Sequence, residues 1–385
     1  MSESRPPDPP FRSPRRPTWI EIDQDALGRN VRAMVTALAG TPLMAVVKAD
    51  AYGHGAVGVA RIALRHGASW VATATVTEAL ELRHDGIAAP ILVFGYTAPE
   101  QVAAAVAGRL AVTAFDREVL AALDRAGDEQ GRPGIAHLKV DSGMNRLGVS
   151  SEEFADFVRG ARDFPHVELE GCYTHFRKGA DRAVTLAQLK RFEAALGAAE
   201  AVGQHFRLRH AANSAAWVTV PESRLDLVRS GIEMLGLRTP DGRQREPVLS
   251  FRSTVAQVRE VSAGEYVGYG DAFRAERPMR IATLPVGYGD GVRWGPRSWG
   301  AVLIGGRERP LVGDVCMDVS MVDVSQAPQV SAGDVATLIG TDGEAQLSAE
   351  LVAQRLGTIN YEVTTCLRDR VPREFLTALP CDEAE

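Results

Sequence analysis

The sequence has few cysteines, no long apolar run and no surplus of positive charge, and each shortage removes a class of protein. Four cysteines in 385 residues (Cys172, Cys316, Cys366 and Cys381) lie far apart with no CxxC spacing. Such a chain is not a disulfide scaffold, and reduced thiols in a cytoplasmic protein are the expected state. Charged residues, glycine or proline interrupt every apolar stretch before it reaches bilayer-spanning length, so no membrane partner is expected and the chain reads as soluble. A net charge of −6 argues against nucleic acid as the main partner. The first seventeen residues hold six prolines and four arginines but no apolar h-region. They read as a disordered tail over 1–17, not as a signal or transit segment.

What is present is ordinary globular material, 45% hydrophobic and 24% charged, in a chain long enough for two domains. A short alternating strand is expected at 18–24, followed by a helix opening at Asp25. Short apolar runs then recur at 44–47, 70–73, 91–94, 110–113, 137–140, 169–174, 206–210 and 225–228. Helix-type segments separate most of them, at 57–66, 117–126, 152–162 and 185–201 for example. Eight such alternations predict an α/β fold, an N-terminal (βα)8 TIM-type barrel over 25–241. After Pro240-Asp241-Gly242 the pattern turns to β-type segments at 255–261, 280–285, 301–305, 319–324 and 334–339, with one clear helix at 348–356. This predicts a C-terminal mainly β domain over 242–385, with which the strand at 18–24 is free to pair.

The barrel reading is organised around Leu43-Met44-Ala45-Val46-Val47-Lys48-Ala49-Asp50-Ala51-Tyr52-Gly53-His54-Gly55. A strand-length apolar run ends on a lysine, and the following residues place Lys48 where a buried strand opens into a loop. Burial there disfavours the ammonium and frees the amine as a nucleophile towards an aldehyde. Functional groups collect at the other strand ends as well: Lys139 and Arg146 after the fifth, His175 after the sixth, Asn213 and Ser214 after the seventh, and Arg229 with Gly231 and Ile232 after the eighth. Ser214 is expected to open a helix beside the backbone amides of Gly231 and Ile232. Loops after strands seven and eight are where such barrels hold phosphate. A nucleophilic amine and a phosphate cradle across one barrel mouth together suggest pyridoxal 5'-phosphate, whose aldehyde and phosphate need those two anchors. No metal is expected.

The stretch Val46-Val47-Lys48-Ala49-Asp50-Ala51-Tyr52-Gly53-His54-Gly55 resembles the cofactor-lysine signature of the alanine racemases, fold-type III pyridoxal phosphate enzymes. The other motifs follow in that family's order from Trp19 to Phe375. The resemblance implies that Lys48 forms the internal Schiff base and acts as one catalytic base. Tyr269, in Tyr266-Val267-Gly268-Tyr269-Gly270-Asp271, matches the second base, on the opposite face. The resemblance implies that it is tuned through a chain to His175 and Arg229. Tyr52, Ser214, Gly231, Ile232 and Tyr361 would hold the phosphate, with His175 and Asn213 also against the cofactor. Arg229 would face the pyridine nitrogen and, since arginine keeps its proton, weaken the electron sink and suppress transamination. Arg146 would meet the cofactor's phenolic oxygen and orient the substrate carboxylate, and Met317 would meet that carboxylate through its backbone. Tyr288 matches a residue of the substrate channel, and Lys139 a lysine that the family carbamylates. The family implies a homodimer whose active sites are shared across the interface, and a role in supplying D-alanine for peptidoglycan.

Three positions depart from the pattern. The segment Phe176-Arg177-Lys178-Gly179-Ala180-Asp181 is more basic than usual and carries an extra residue, Leu235 stands where a tyrosine is common, and Asp314 where an arginine is common. These bear on substrate preference more than on chemistry. Racemisation of another small amino acid such as serine is the nearest alternative. A basic-amino-acid decarboxylase would use glycine-rich phosphate loops and a C-terminal cysteine, and a non-catalytic pyridoxal phosphate homeostasis protein would lack the β domain and have no use for Tyr269.

Overall fold

The structure is a computed structural model and describes residues 16–295 and 298–377. The tail expected over 1–17 lies outside the described residues up to position 15, as does Cys381. Arg16 and Pro17 are described, and Arg16 pairs with Asp290 at 2.6 Å.

Strand β1 (Thr18–Asp23) opens the chain. The barrel strands follow as β2 (Leu43–Val46), β3 (Trp70–Thr73), β4 (Ile91–Val93), β5 (Ala111–Ala114), β6 (Gly134–Asp141) with the short β7 (Val149–Ser150) beside it, β8 (Val167–Tyr173), β9 (Leu208–His210) and β10 (Val228–Ser230). They pair in the order β10-β2-β3-β4-β5-β6-β8-β9, all in parallel, a nearly closed eight-strand barrel. Continuous apolar runs form these strands because both faces are covered; β2, β3 and β5 are buried at every residue. Met44, Trp70, Leu92, Leu208 and Leu227 share one core cluster. The surrounding helices start on side-chain caps: Asp23 for Gln24–Ala37, Thr75 with Glu78 as a capping box for Val76–His84, and Asp181 for Arg182–Ala201. The eighth strand begins later than its apolar run suggests, because Pro221–Arg224 forms a 3-10 turn and Leu225 takes a φ of 48°.

The remaining strands are β11 (Leu249–Thr254), β12 (Gln257–Val261), β13 (Met279–Leu284), β14 (Ala301–Ile304), β15 (Glu308–Pro310), β16 (Ser320–Asp323), β17 (Val335–Asp342), β18 (Ala345–Leu347) and β19 (Arg373–Leu376). One sheet runs β15-β14-β17-β11-β1-β19, so the first strand among the described residues is built into it; a smaller antiparallel sheet runs β12-β13-β16. The two contact units do not coincide with the ranges 25–241 and 242–385. By contacts, 22–249 and 348–367 form the barrel unit, and most of the remainder, including 250–347, the β unit. The reason is visible at Asn360, whose side-chain amide donates to Arg238 O at 3.0 Å and Glu350 Oε1 at 2.9 Å. Helices Ala349–Leu356 and Asn360–Thr365 therefore return to the barrel mouth. Among the described residues no helix is long and apolar enough to cross a membrane, and no group of three or more His, Cys, Asp or Glu could hold a metal ion.

Candidate active site

Lys48 does not enter a loop. After β2 the chain makes a single turn of left-handed helix: Ala49, Asp50, Ala51 and Tyr52 have φ of 51–55° and ψ of 39–54°. For residues with a Cβ this costs roughly 1–2 kcal/mol each, so the surroundings must impose it. Ala49 N–H donates to Glu78 Oε1 at 2.7 Å, Ala56 N–H to Asp50 Oδ1 at 2.7 Å, and Gly55 N–H to Asp50 O at 2.9 Å. Gly53 is indispensable here, since a Cβ would sit 2.0 Å from Thr364 O. The turn brings Lys48 and Tyr52 to the same cavity, with Nζ 6.0 Å from the Tyr52 ring centroid.

That cavity, of about 150 Å³, gathers Lys48, Tyr52, Lys139, Arg146, His175, Asn213, Ser214, Arg229 and Gly231. Ile232 and Tyr361 line an adjoining cavity of about 570 Å³ together with Lys48, Tyr52 and Ser214. The barrel-borne candidates thus converge. Burial lowers the pKa of Lys48, assisted by the charge of Arg146. Burial, then Arg229 and Arg146, bring Lys139 down to about 7, with its Nζ 4.4 Å from the Tyr173 ring centroid. Arg146 stands on a loop that Asp141 ties down by accepting from Gly143 N–H and Met144 N–H at 2.8 and 2.9 Å.

Ser214 differs from expectation. The helix there is only Ala216–Thr219, and Asn213 Oδ1, not Ser214, accepts from its first amides at 3.2 and 3.1 Å. Ser214 Oγ instead lies 3.1 Å from Ser230 Oγ and accepts from Gly231 N–H at 3.4 Å. Gly231 must lack a side chain, because a Cβ would come within 2.8 Å of the Tyr52 hydroxyl. Burial, then Tyr361, holds the Tyr52 phenol well above its ordinary range, so it stays a neutral donor.

Arg229 is buried and directed by its neighbours: one guanidinium nitrogen meets His210 Nδ1 at 3.0 Å, and the other donates to Thr174 O at 2.9 Å and Ala211 O at 3.0 Å, with His175 Nδ1 at 3.3 Å. Its pKa is drawn down to about 10 by burial. Burial, then Arg229, holds His175 neutral. Sequence reasoning missed Phe94 and Tyr173, which line the cavity with ring centroids 5.9 Å apart. Tyr173 could have been found, since it ends the strand that leads into His175.

In the β unit, Tyr269 sits between Gly268 and Gly270, both at positive φ, and is 76% exposed. Met317 is 53% exposed, and Tyr288 opens a 3-10 turn with its N–H donating to Cys316 O at 3.0 Å. Of the departures, Leu235 is buried and Asp314 exposed.

Ionisable side chains this costly to bury, gathered at the C-terminal ends of parallel barrel strands, are the mark of a (βα)8 enzyme. Residues 22–239 match the alanine racemase N-terminal domain family and residues 248–375 the alanine racemase C-terminal domain family. The chain is 41% identical over 368 residues to an alanine racemase of Desulfovibrio desulfuricans, covering 94% of this chain and 98% of that one. It is 42% identical over 366 residues to one of Symbiobacterium thermophilum, with 94% and 97% covered. Among solved structures, the alanine racemase of Bacillus anthracis with bound L-Ala-P aligns with a TM-score of 0.89 and 36% identity, covering 96% of each chain. That of a D-cycloserine-producing Streptomyces lavendulae aligns with a TM-score of 0.88 and 35% identity, covering 96% of this chain and 99% of the other. The chain belongs to the alanine racemase family and is an isomerase.

Proposed function

We propose that the protein interconverts L-alanine and D-alanine, with pyridoxal 5'-phosphate as cofactor and Lys48 and Tyr269 as opposed bases. The observation that carries this reading is Lys48 itself, an amine made less basic by burial and by Arg146, in one cavity with a set of hydrogen-bond donors fit for a phosphate.

The residues fit that cofactor. The hydroxyls of Tyr52, Ser214 and Tyr361 and the amides of Gly231 and Ile232 would hold the phosphate, with the absence of a Cβ on Gly231 leaving room for the Tyr52 ring. When bound, the cofactor supplies an aldehyde that bonds amines and a ring that withdraws electron density from the substrate Cα. Lys48 Nζ would bond that aldehyde and, once released, hold or return the Cα proton on one face. Arg229 offers only N–H donors, so it would meet the pyridine nitrogen without protonating it. Arg146 would orient the substrate carboxylate, with Met317 N–H as a second contact, and His175 and Asn213 would flank the cofactor.

Lys139, drawn down to about 7 and so partly unprotonated near neutral pH, suits carbamylation, which would turn an amine near Arg146 into an anion that steadies it. Tyr269, largely exposed on its own chain, would serve the active site of a second copy in a homodimer, with Tyr288 at the substrate channel. A cytoplasmic supply of D-alanine for peptidoglycan follows from this activity.

The test is chiral analysis of alanine after incubating the purified protein with pyridoxal phosphate and pure L-alanine, without a keto-acid acceptor. Drift to equal L and D is expected. Unchanged L-alanine with the cofactor bound would exclude alanine as substrate and direct the search to serine.

A further inference from the structure

Behind Arg229 a line of buried polar groups runs deeper into the barrel, and neither the proposed bases nor the phosphate cradle requires it. Arg229 lies 3.0 Å from His210 Nδ1. His210 Nε2 is 2.9 Å from His137 Nδ1, and His137 Nε2 is 3.0 Å from Glu170 Oε2. The other carboxylate oxygen of Glu170 accepts from Arg207. His137 and His210 are both fully buried.

The line has only one consistent polarity. Arginine can only donate and a carboxylate can only accept, so each imidazole between them must accept on Nδ1 and donate from Nε2. A proton added to either ring would set two donors against each other. Burial holds both imidazoles neutral: for His210 the nearby cations add to it, and for His137 burial outweighs the upward pull of Glu170. Glu170 is pushed up by burial, yet His137 and Arg207 together bring it below its ordinary range, so the end of the line is anionic.

The backbone is shaped for this arrangement. Between β6 and β8 the register jumps from Ala136 opposite Leu169 to His137 opposite Gly171, so Glu170 is the extra residue of a β-bulge. Bulges re-aim side chains, and this one gives His137 its acceptor. Gly171 completes the fit, because a Cβ there would fall 2.5 Å from His137 Nδ1. The Trp70 ring covers His137 at 5.6 Å between centroids, and Tyr173 stacks on His210 at 4.8 Å and 3°.

We propose that Glu170 is a positioning residue for Arg229: acting through His137 and His210 as neutral Nε2–H tautomers, its carboxylate keeps the guanidinium charged, oriented and unwilling to release a proton. The proposal rests on the reading that Arg229 faces the cofactor's ring nitrogen. Without the carboxylate the buried guanidinium is a stronger acid, protonates the ring more readily, and strengthens the electron sink that favours transamination.

The experiment joins two measurements on the full-length protein. Histidine ring ¹⁵N shifts, recorded on cofactor-free and cofactor-loaded protein between pH 5 and 8, are expected to give the neutral Nε2–H form for His137 and His210 throughout. Glu170→Gln, which preserves shape, is expected to redistribute those tautomers even without cofactor. In the loaded protein it should lower kcat about tenfold with KM nearly unchanged and raise transamination per racemisation by about tenfold, the equivalent of one pKa unit at Arg229. Gly171→Ala, which displaces His137 and removes no polar group, should act in the same direction. A charged or Nδ1–H imidazole in the parent protein overturns the proposal, as does a folded Glu170→Gln protein with unchanged tautomers and unchanged transamination. If the tautomers are as expected and the protein does not racemise alanine, the reading of function fails while the histidine line stands.

Discussion

In the barrel unit Lys139, His210 and Arg229 are buried and held by named neighbours, whereas in the β unit Tyr269 is 76% exposed and Met317 53% exposed. The barrel's groups are perturbed by desolvation before any ligand arrives, so this cavity is pre-organised within one chain. The β unit's groups stand on glycine turns, with Gly268 and Gly270 at positive φ around Tyr269. One polypeptide thus carries a buried, pre-arranged cavity and, separately, an exposed tyrosine, and the proposed function gives the two different dependence on a second copy of the chain.

The sharpest way to break this contrast is Lys48→Ala. It should reduce racemisation by roughly 10⁴-fold or more and abolish borohydride-fixed cofactor, measured by peptide mass; retention of covalent cofactor would sink the Lys48 assignment. Next comes Tyr269→Phe, expected to cut Cα-hydrogen exchange by about 10²–10⁴-fold for one enantiomer and far less for the other. Because the side chain is exposed, stability should change by less than about 0.5 kcal/mol. Equal loss for both enantiomers would count against two separate faces.

Gly53→Ala probes the pre-organised side by forcing a Cβ against Thr364 O at a left-handed position. A loss of about 3 kcal/mol in denaturant unfolding and weakened cofactor retention are expected. A pH-dependent effect concerns Lys139. In the folded chain it releases its proton near pH 7, while in the unfolded chain it keeps it to about 10.4. Between those values the unfolded chain binds the extra proton, so stability should rise with pH through that window and level off below it. Unfolding in carbon dioxide-free buffer should show the rise, and bicarbonate should flatten it if Lys139 is carbamylated. The smallest expected change is Asp314→Arg, an exposed position, with KM for alanine shifting by no more than about threefold.

Much of the barrel was legible because its signals are local. Seven of the eight apolar runs became strands over most of their length, the eighth meets its strand only at Val228, and Lys48, Ser214 and Arg229 meet at one cavity. The geometry around Lys48 was not legible. Four consecutive residues with a Cβ adopt left-handed φ because Glu78, Asp50 and the space at Gly53 impose it, and nothing in Ala49-Asp50-Ala51-Tyr52 announces this. Likewise Ser214 read as a helix cap, and the structure gives that task to Asn213.

By itself the sequence determined the alternation of strands and helices, the change to β structure after residue 242, and the residue types available for chemistry, all set by periodicity and by motifs a few residues long. Only the tertiary structure decided that 348–367 joins the barrel unit, and that a bulge at Glu170 meets His137 across two strands. It also gave Arg229, His210, His137 and Glu170 a single hydrogen-bond direction. The reason is range: patterning acts between residues near in sequence, whereas burial and donor–acceptor matching join positions such as His137 and His210, seventy-three residues apart.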